Sequence, residues 1–146
     1  MSWNERGFTQ LELLMVLVLM AILAAMTLPR FDRIIEDHKL RADARQLAWV
    51  LRCARQEAVT TGQNRLVMFK IYQYKYDKGG TTYTLSPGIR FKGTTTFGEV
   101  EKIPACGFSP SGAPVPQAGT ATLKNKYNKE IAVVVNVETG RVRVEE

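Results

Sequence analysis

The sequence predicts an α+β fold, in which a long N-terminal helix packs on a C-terminal antiparallel β-sheet. Every residue from Leu13 to Met26 is apolar, and beyond Pro29 apolar residues recur at steps of three and four, as on one face of a helix. After Gly62 the chain changes to short segments rich in β-branched and aromatic residues, separated by turn residues. A helix followed by such strands indicates one helix lying on a sheet.

The first half of this helix has the length and character of a membrane span. Residues 8–29 are mostly apolar, and crossing a bilayer takes about 20 such residues in a helix. Arg6 favours a cytoplasmic amino terminus, which leaves residues 30–146 outside. A secretory signal fits less well, because Thr27-Leu28-Pro29-Arg30 follows the apolar run in place of a small-residue cleavage site.

A plain single-pass anchor explains the apolar run but leaves Glu12 unexplained. A carboxylate among lipid tails costs several kcal/mol unless a partner meets it, so such a residue is a candidate for a functional role. The sequence before Arg30 offers no second charged residue inside the apolar run itself. Glu12 therefore needs a partner from elsewhere.

The second half of the helix is amphipathic. Pro29 is expected to kink or locally melt the helix, because proline lacks an amide donor and clashes with the preceding turn. Gly62 is a natural C-terminal stop, so the helix is predicted from about Phe8 to Thr61. The stripe expected to face the sheet consists of Leu40, Ala44, Leu47, Leu51, Ala54 and Ala58.

The strands are predicted from composition and turn residues. A long strand over residues 65–76 turns at 77–80 into a strand at 81–85, and shorter strands follow at 89–91 and 94–103. Residues 104–119 contain four of the six prolines and are predicted to be a loop. The chain closes with strands at 131–137 and 141–144 around a turn at 138–140.

The N-terminal stretch GFTQLELLMVLVLMAILAAMTLP resembles the corresponding segment of type IV pilins and type II secretion pseudopilins. The resemblance implies that residues 1–7 are a leader, which a prepilin peptidase removes by cutting between Gly7 and Phe8. It also implies that the same enzyme methylates the new amino group of Phe8. Glu12 takes the place of the acid that the family pairs with the amino terminus of a neighbouring subunit, and this pairing would set the register of assembly.

Three further motifs are similar to those of the minor pilin and pseudopilin group called GspH/FimT. They are Leu51, Ala54, Arg55, Glu57 and Ala58 on the helix, the turn Phe108-Ser-Pro-Ser-Gly112, and the closing Gly140-Arg-Val-Arg-Val144. The resemblance implies a minor subunit at or near the tip of a type II secretion pseudopilus or a type IV pilus. Its implied partners are other pilin subunits, the prepilin peptidase, the assembly platform of the inner membrane, and membrane lipid.

Arg141 and Arg143 alternate with valines, so both point to one face of their strand. They could protect an exposed edge strand from pairing through their charge. Some FimT-type pilins have a closing Gly-Arg-x-Arg that resembles a DNA-contacting motif used in DNA uptake, with Lys124, Lys126 and Lys129 as candidates for the same surface. Glu145 and Glu146 oppose phosphate binding, so the edge-strand interpretation is favoured.

Overall charge supports an anionic partner without identifying it. The chain has 20 Lys and Arg against 14 Asp and Glu, a formal net charge of +6, which attracts phospholipid headgroups, nucleic acid or acidic proteins alike. Cys53 and Cys106 would lie in an oxidising compartment, where they could form a disulfide or remain free thiols.

Enzymatic chemistry is not predicted. Ser86, Ser109 and Ser111 lie in Pro- and Gly-containing segments without a histidine nearby in sequence, and His38 stands alone in a charged stretch. A single histidine and two distant cysteines give no metal-ligand spacing. We expect no cofactor and no metal, and we expect a protein that is the substrate of an enzyme and not itself an enzyme.

Overall fold

The computed structural model describes residues 9–76, 80–93 and 95–146, and it describes 26–30 by their backbone only. One helix, α1 (Gln10–Thr61), opens the described chain and agrees with the prediction of a helix from about Phe8 to Thr61. It remains helical through Pro29, so local melting is not seen there, and the kink stays a prediction. Gly62 ends the helix as predicted, with a φ of 67° and its amide 3.1 Å from the Ala58 carbonyl oxygen.

The membrane span predicted for residues 8–29 stays a prediction. Among the described residues, none of the helical stretches combines the length and the apolar character needed to cross a bilayer. The larger of the two compact units of the chain is Glu36–Glu146, which contains the second half of α1 and all the described strands.

The amphipathic half of α1 packs on the strands as predicted. All six residues of the predicted stripe are fully buried. They share one core with side chains from both sheets, among them Val67, Phe108, Leu123, Ile131 and Val133. The α+β class, with a long N-terminal helix on antiparallel β-structure, is confirmed.

Within the described residues the strands form two antiparallel sheets. The first has the order β3-β2-β1-β6-β5, with β7 paired to β6, and the second has the order β10-β9-β8-β4. The bounds are β1 Arg65–Lys70, β2 Gln73–Tyr76, β3 Thr82–Thr84, β4 Arg90–Phe91, β5 Glu99–Val100, β6 Ile103–Phe108, β7 Pro114–Val115, β8 Thr120–Lys124, β9 Glu130–Val135 and β10 Val142–Glu145.

The single strand predicted over residues 65–76 is wrong, because the chain reverses in its middle. Lys70 lies opposite Gln73, so Ile71 and Tyr72 form a two-residue turn between β1 and β2. Both turn side chains are exposed, at 63% and 59%. Neither is a turn-forming residue type, so their β propensity concealed the reversal.

The strand predicted at 94–103 and the loop predicted at 104–119 are also wrong. The chain turns at Glu101 and Lys102, both with positive φ, and returns as β6, which lies between β1 and β5. The prolines of this region lie at strand ends and in turns, so proline content concealed β6. Gly107 is needed in β6 because a Cβ there would overlap the Arg65 carbonyl oxygen across the sheet.

Strand β8 was not predicted. Its burial alternates along Thr120–Lys124, with Ala121 and Leu123 fully buried. The two β-branched threonines and the alternation along this segment are a strand signal that our sequence interpretation missed, and its pairing with β9 in the second sheet adds cross-strand stabilisation. The closing hairpin of β9 and β10 is confirmed, with Val142 opposite Val135.

Candidate functional site

The beginning of α1 is closed by a reciprocal pair of contacts between Thr9 and Glu12. The Glu12 amide donates to the Thr9 hydroxyl oxygen at 3.2 Å, and the Glu12 carboxylate accepts from the Thr9 amide at 3.3 Å. This is a capping box, in which a Thr at the N-cap and a Glu three residues later satisfy each other's amides. The Thr-x-x-Glu spacing signals it in the sequence, but our sequence interpretation missed it.

The helix that follows Glu12 presents apolar side chains to its surroundings. Within residues 11–23 the large apolar side chains are 47–69% exposed. Exposed apolar surface on this scale marks a protein-interaction or membrane-interaction surface. Gly7 and Phe8, the predicted cleavage and methylation residues, lie outside the described residues.

A second candidate surface is an arginine cluster that joins the helix to the closing hairpin. Arg52 and Arg55 of α1, together with Arg141 and Arg143, line a cleft of about 580 Å³. The helix face that carries Arg52 and Arg55 therefore lies beside the hairpin.

Arg55 lies where the three motifs of the sequence resemblance meet. Its Nε donates to the carbonyl oxygen of Gly112 at 3.2 Å, which ties the helix motif to the Phe108–Gly112 turn. Gly140, which opens the closing motif, is so near that a Cβ there would overlap the Gly112 carbonyl oxygen. The three motifs thus form one packed junction.

Arg52 and Arg143 differ in what they contact. The Arg52 Nη2 donates at 3.1 Å to the carbonyl oxygen of Val142, in the edge strand β10. This contact occupies a polar group of the edge, which otherwise offers a template for another strand. Arg143 is exposed and lies 3.8 Å from the Glu145 carboxylate, a solvent-screened ion pair that leaves the guanidinium accessible.

The three lysines considered for the same surface lie elsewhere. The Nζ of Lys129 is 2.7 Å from the Asp37 carboxylate, and its hydrogen bond lowers the pKa of Asp37 against the opposing effect of desolvation. The Nζ of Lys126 is 4.0 Å from Glu36. Asp37 and Arg55 are separated along α1 by about 27 Å at 1.5 Å per residue, and Lys124 lies opposite Arg90 in β4. The arginine cluster therefore does not include these lysines.

Two solved structures share the architecture of this chain. The minor pseudopilin EpsH from the Type 2 Secretion System of Vibrio cholerae is 18% identical, with a TM-score of 0.58 over 73% of this chain and 95% of that one. The type IV minor pilin FimU of Pseudomonas aeruginosa is 16% identical, with a TM-score of 0.59 over 77% of this chain and 92% of that one. The chain has a minor pilin fold. No protein-family model and no curated protein matches the sequence.

Within this minor pilin fold the helix motif is structural. Leu51, Ala54 and Ala58 are fully buried in the core. The Glu57 carboxylate accepts the hydroxyl of Tyr76 and lies 3.8 Å from Arg65. Burial raises the pKa of Tyr76, and the hydrogen bond to Glu57 raises it further. The phenol therefore stays protonated, and its hydrogen bond holds the end of the helix to the first sheet.

The two cysteines are free thiols in the structure. Cys106 was predicted in a loop, which is wrong, since it lies in β6 opposite Val67. Burial raises the pKa of the Cys106 thiol to about 12, so it stays protonated and behaves as a core side chain. Cys53 is half-buried on α1.

The three serines Ser86, Ser109 and Ser111 make structural contacts. Ser86 donates through its amide and hydroxyl to the buried Asp43 carboxylate at 2.8 and 3.0 Å, which fastens the β3–β4 connection to α1. Burial raises the pKa of Asp43 despite these bonds. Ser109 and Ser111 contact each other at 2.8 Å in their turn. In the part of the chain that the structure describes, no group of three or more His, Cys, Asp or Glu is arranged to hold a metal ion.

Proposed function

We propose that this chain is a minor pilin or minor pseudopilin, a structural subunit of a type II secretion pseudopilus or a type IV pilus. The observation that carries the proposal is the combination of a minor pilin fold with a helix whose apolar side chains are exposed over residues 11–23. The exposed helix supplies a surface for assembly with other subunits. A minor subunit of this kind would be placed at or near the filament tip.

In the proposed order of events, the subunit is first inserted into the inner membrane. Residues 8–29 would hold it there, with residues 30–146 outside the cytoplasm. A prepilin peptidase would remove residues 1–7 and methylate Phe8, and the assembly platform would then insert the subunit into the filament. The sequence motif supports the proposed processing, and the exposed apolar side chains of residues 11–23 support the proposed membrane anchor.

Processing is the direct test of this proposal. Co-expression with a prepilin peptidase is expected to shorten the chain by removal of residues 1–7, which intact-mass measurement detects together with methylation of Phe8. Gly7→Ala is expected to reduce cleavage at least tenfold. An inactive peptidase serves as the control. An unprocessed chain in its native host would instead support an ordinary single-pass anchored domain.

A second candidate function, DNA binding in uptake, rests on the arginine cluster. Arg141 and Arg143 are exposed on one face, and the structure adds Arg52 and Arg55 to the same cleft. Such a cleft suits a phosphate backbone. Two features oppose it, because Arg52 and Arg55 each donate to a backbone carbonyl and Glu145 lies beside Arg143.

A charge-matched comparison tests the DNA proposal. General electrostatic attraction gives dissociation constants on the order of 10⁻⁴ to 10⁻⁶ M, so binding by itself is uninformative. Arg141→Gln with Arg143→Gln is compared with Arg45→Gln with Lys75→Gln, two exposed residues outside the cleft. Arg41 is a poor control because it pairs with Glu146 at 3.1 Å.

If the cluster binds DNA, the first pair is expected to lose at least fivefold more affinity than the control pair at fixed salt. DNA uptake should then fall in cells whose filaments persist. Equal losses of DNA affinity in both double variants would mean that the cluster contributes only general surface charge. Arg141 and Arg143 would then be interpreted as protecting the edge strand from pairing.

A further inference from the structure

A second cleft, of about 570 Å³, opens where the two sheets meet. Its apolar lining comes from both sheets and includes Phe69 at the end of β1, Ile71 in the β1–β2 turn, and Phe91 in β4. The Phe91 amide donates to the Ile71 carbonyl oxygen at 3.1 Å, which fixes the two sides relative to each other. The volume lies in the range of about 300–1,000 Å³ that is typical of ligand sites.

Four basic side chains surround this apolar lining. Lys70, Arg90, Lys92 and Lys124 all line the cleft. Among the described residues, only Lys92 of these four lies within ion-pair distance of a carboxylate, that of Glu130 at 2.7 Å. Arg90 and Lys124 are Cα partners in the β4–β8 pairing, and like charges directly opposite each other destabilise a sheet. An anion bound between them would relieve that repulsion.

The cleft also contains a buried hydroxyl without a partner. Thr95 lines it and is only 8% exposed, and its Oγ1 is buried with no hydrogen-bond partner among the described residues. An unsatisfied buried hydroxyl carries a free-energy cost. Because the Oγ1 is itself shielded from solvent, an acceptor group of a ligand would satisfy it only after the Thr95 side chain turns toward the cleft.

We propose that this cleft binds a segment of another protein in which an aliphatic side chain lies next to carboxylates. The carboxylates complement the surrounding cations, and the aliphatic group complements the exposed Ile71 side chain. A nucleic acid fits less well. Phe69 and Phe91 are 3% and 5% exposed and pack edge to face at 5.5 Å, so neither offers a free ring face on which a base could stack.

This site is separate from the arginine cluster and is not used in the proposed filament assembly. It therefore holds or fails independently of that proposal. The residues lining the two clefts do not overlap, so variants in one serve as charge-matched controls for the other.

Peptide titration of the full chain in detergent micelles tests the proposal. The probe is a doubly capped pentapeptide of alternating Glu and Leu, compared with versions in which Gln replaces Glu or Ser replaces Leu. We expect the Glu and Leu peptide to bind at least fivefold more tightly than either version. Arg90→Gln with Lys124→Gln is expected to weaken it at least tenfold at fixed salt, and Arg141→Gln with Arg143→Gln less than twofold.

A second variant tests the apolar lining without a change of charge. Ile71→Ser removes an exposed side chain, so the fold should persist, and binding should fall at least threefold. Equal losses from the two charge pairs, or no binding of the Glu and Leu peptide at millimolar concentration, would overturn the proposal. Tighter binding of a thymidine oligonucleotide that is lost in the Arg90 and Lys124 variant would also overturn it, in favour of a nucleic-acid site.

Discussion

Glu12→Gln is expected to suppress filament assembly while leaving the start of α1 intact. Gln at the third helical position can still reach back to the N-cap amide, so the capping box with Thr9 survives the change. The negative charge is lost, and with it the ion pair proposed between Glu12 and the N-methylated Phe8 of a neighbouring subunit. A buried charge left without its partner costs about 3 kcal/mol or more, which lowers the subunit association constant on the order of a hundredfold.

Two companion variants separate the charge from the cap. Thr9→Val removes the hydroxyl that accepts from the Glu12 amide but keeps the carboxylate, and a lost N-cap costs about 1 kcal/mol. Its effect on assembly should be small. Glu12→Leu removes both functions, and we expect it to assemble as poorly as Glu12→Gln while inserting into membranes at least as well as the unmodified chain.

The measurement is the yield of filaments, or of the secretion or uptake that depends on them, at matched membrane levels of each variant. If Glu12→Gln assembles normally and Thr9→Val does not, Glu12 acts through the cap and the proposed pairing is wrong. The structure makes this distinction testable, because Thr9 is the observed partner of Glu12 within the chain.

The helical part of the fold could be predicted well from the sequence because its signals are local and periodic. The six-residue stripe from Leu40 to Ala58 is buried as expected, and Gly62 ends the helix at the predicted residue. The spacing of these residues depends on the helix alone. The capping box at Thr9 and Glu12 was equally local, and it was missed only because the acid was considered for its role between subunits.

The strands were harder to predict because their limits depend on pairing partners distant in sequence. Ile71 and Tyr72 have high β propensity but occupy a turn, since the register of β1 with β2 places the reversal there. Proline-flanked β6 lies inside a sheet because Gly107 allows close approach to the backbone of β1. Propensity describes how a side chain fits a pleated surface and says little about which neighbour supplies that surface.

In the candidate sites, too, local motifs could be identified from the sequence, whereas contacts between residues distant in sequence could not. The sequence identified Glu12, Arg141 and Arg143 from motifs, but it could not show that Arg52 and Arg55 share a cleft with the two hairpin arginines. It also suggested lysines as neighbours of that hairpin, but Lys129 pairs with Asp37 and Lys126 lies near Glu36, toward the other end of the folded part of α1. Long-range contacts of this kind leave no spacing in the sequence.

Gly140→Ala is expected to destabilise the folded domain by more than about 2 kcal/mol. Gly140 has a φ of 62°, a conformation that costs an L-residue about 1 kcal/mol. An added Cβ would also overlap the carbonyl oxygen of Gly112, and that carbonyl accepts the hydrogen bond from Arg55. The hairpin must therefore shift away from the Phe108–Gly112 turn, and the melting temperature should fall on the order of 10 °C.

Gly62→Ala separates the backbone strain from the steric overlap. Gly62 has a similar φ of 67°, but a Cβ there would meet no described heavy atom within 4 Å. Its variant should lose only about 1 kcal/mol, as measured by thermal unfolding followed by circular dichroism. Equal losses in the two variants would mean that the junction adapts to the extra carbon. A much larger loss in Gly140→Ala would show that packing against Gly112 requires the glycine of the closing Gly-Arg-Val-Arg-Val motif. The glycine of this motif would then be explained by packing and would not indicate DNA binding. Only Arg141 and Arg143 of the motif could then be tested for a role in DNA binding.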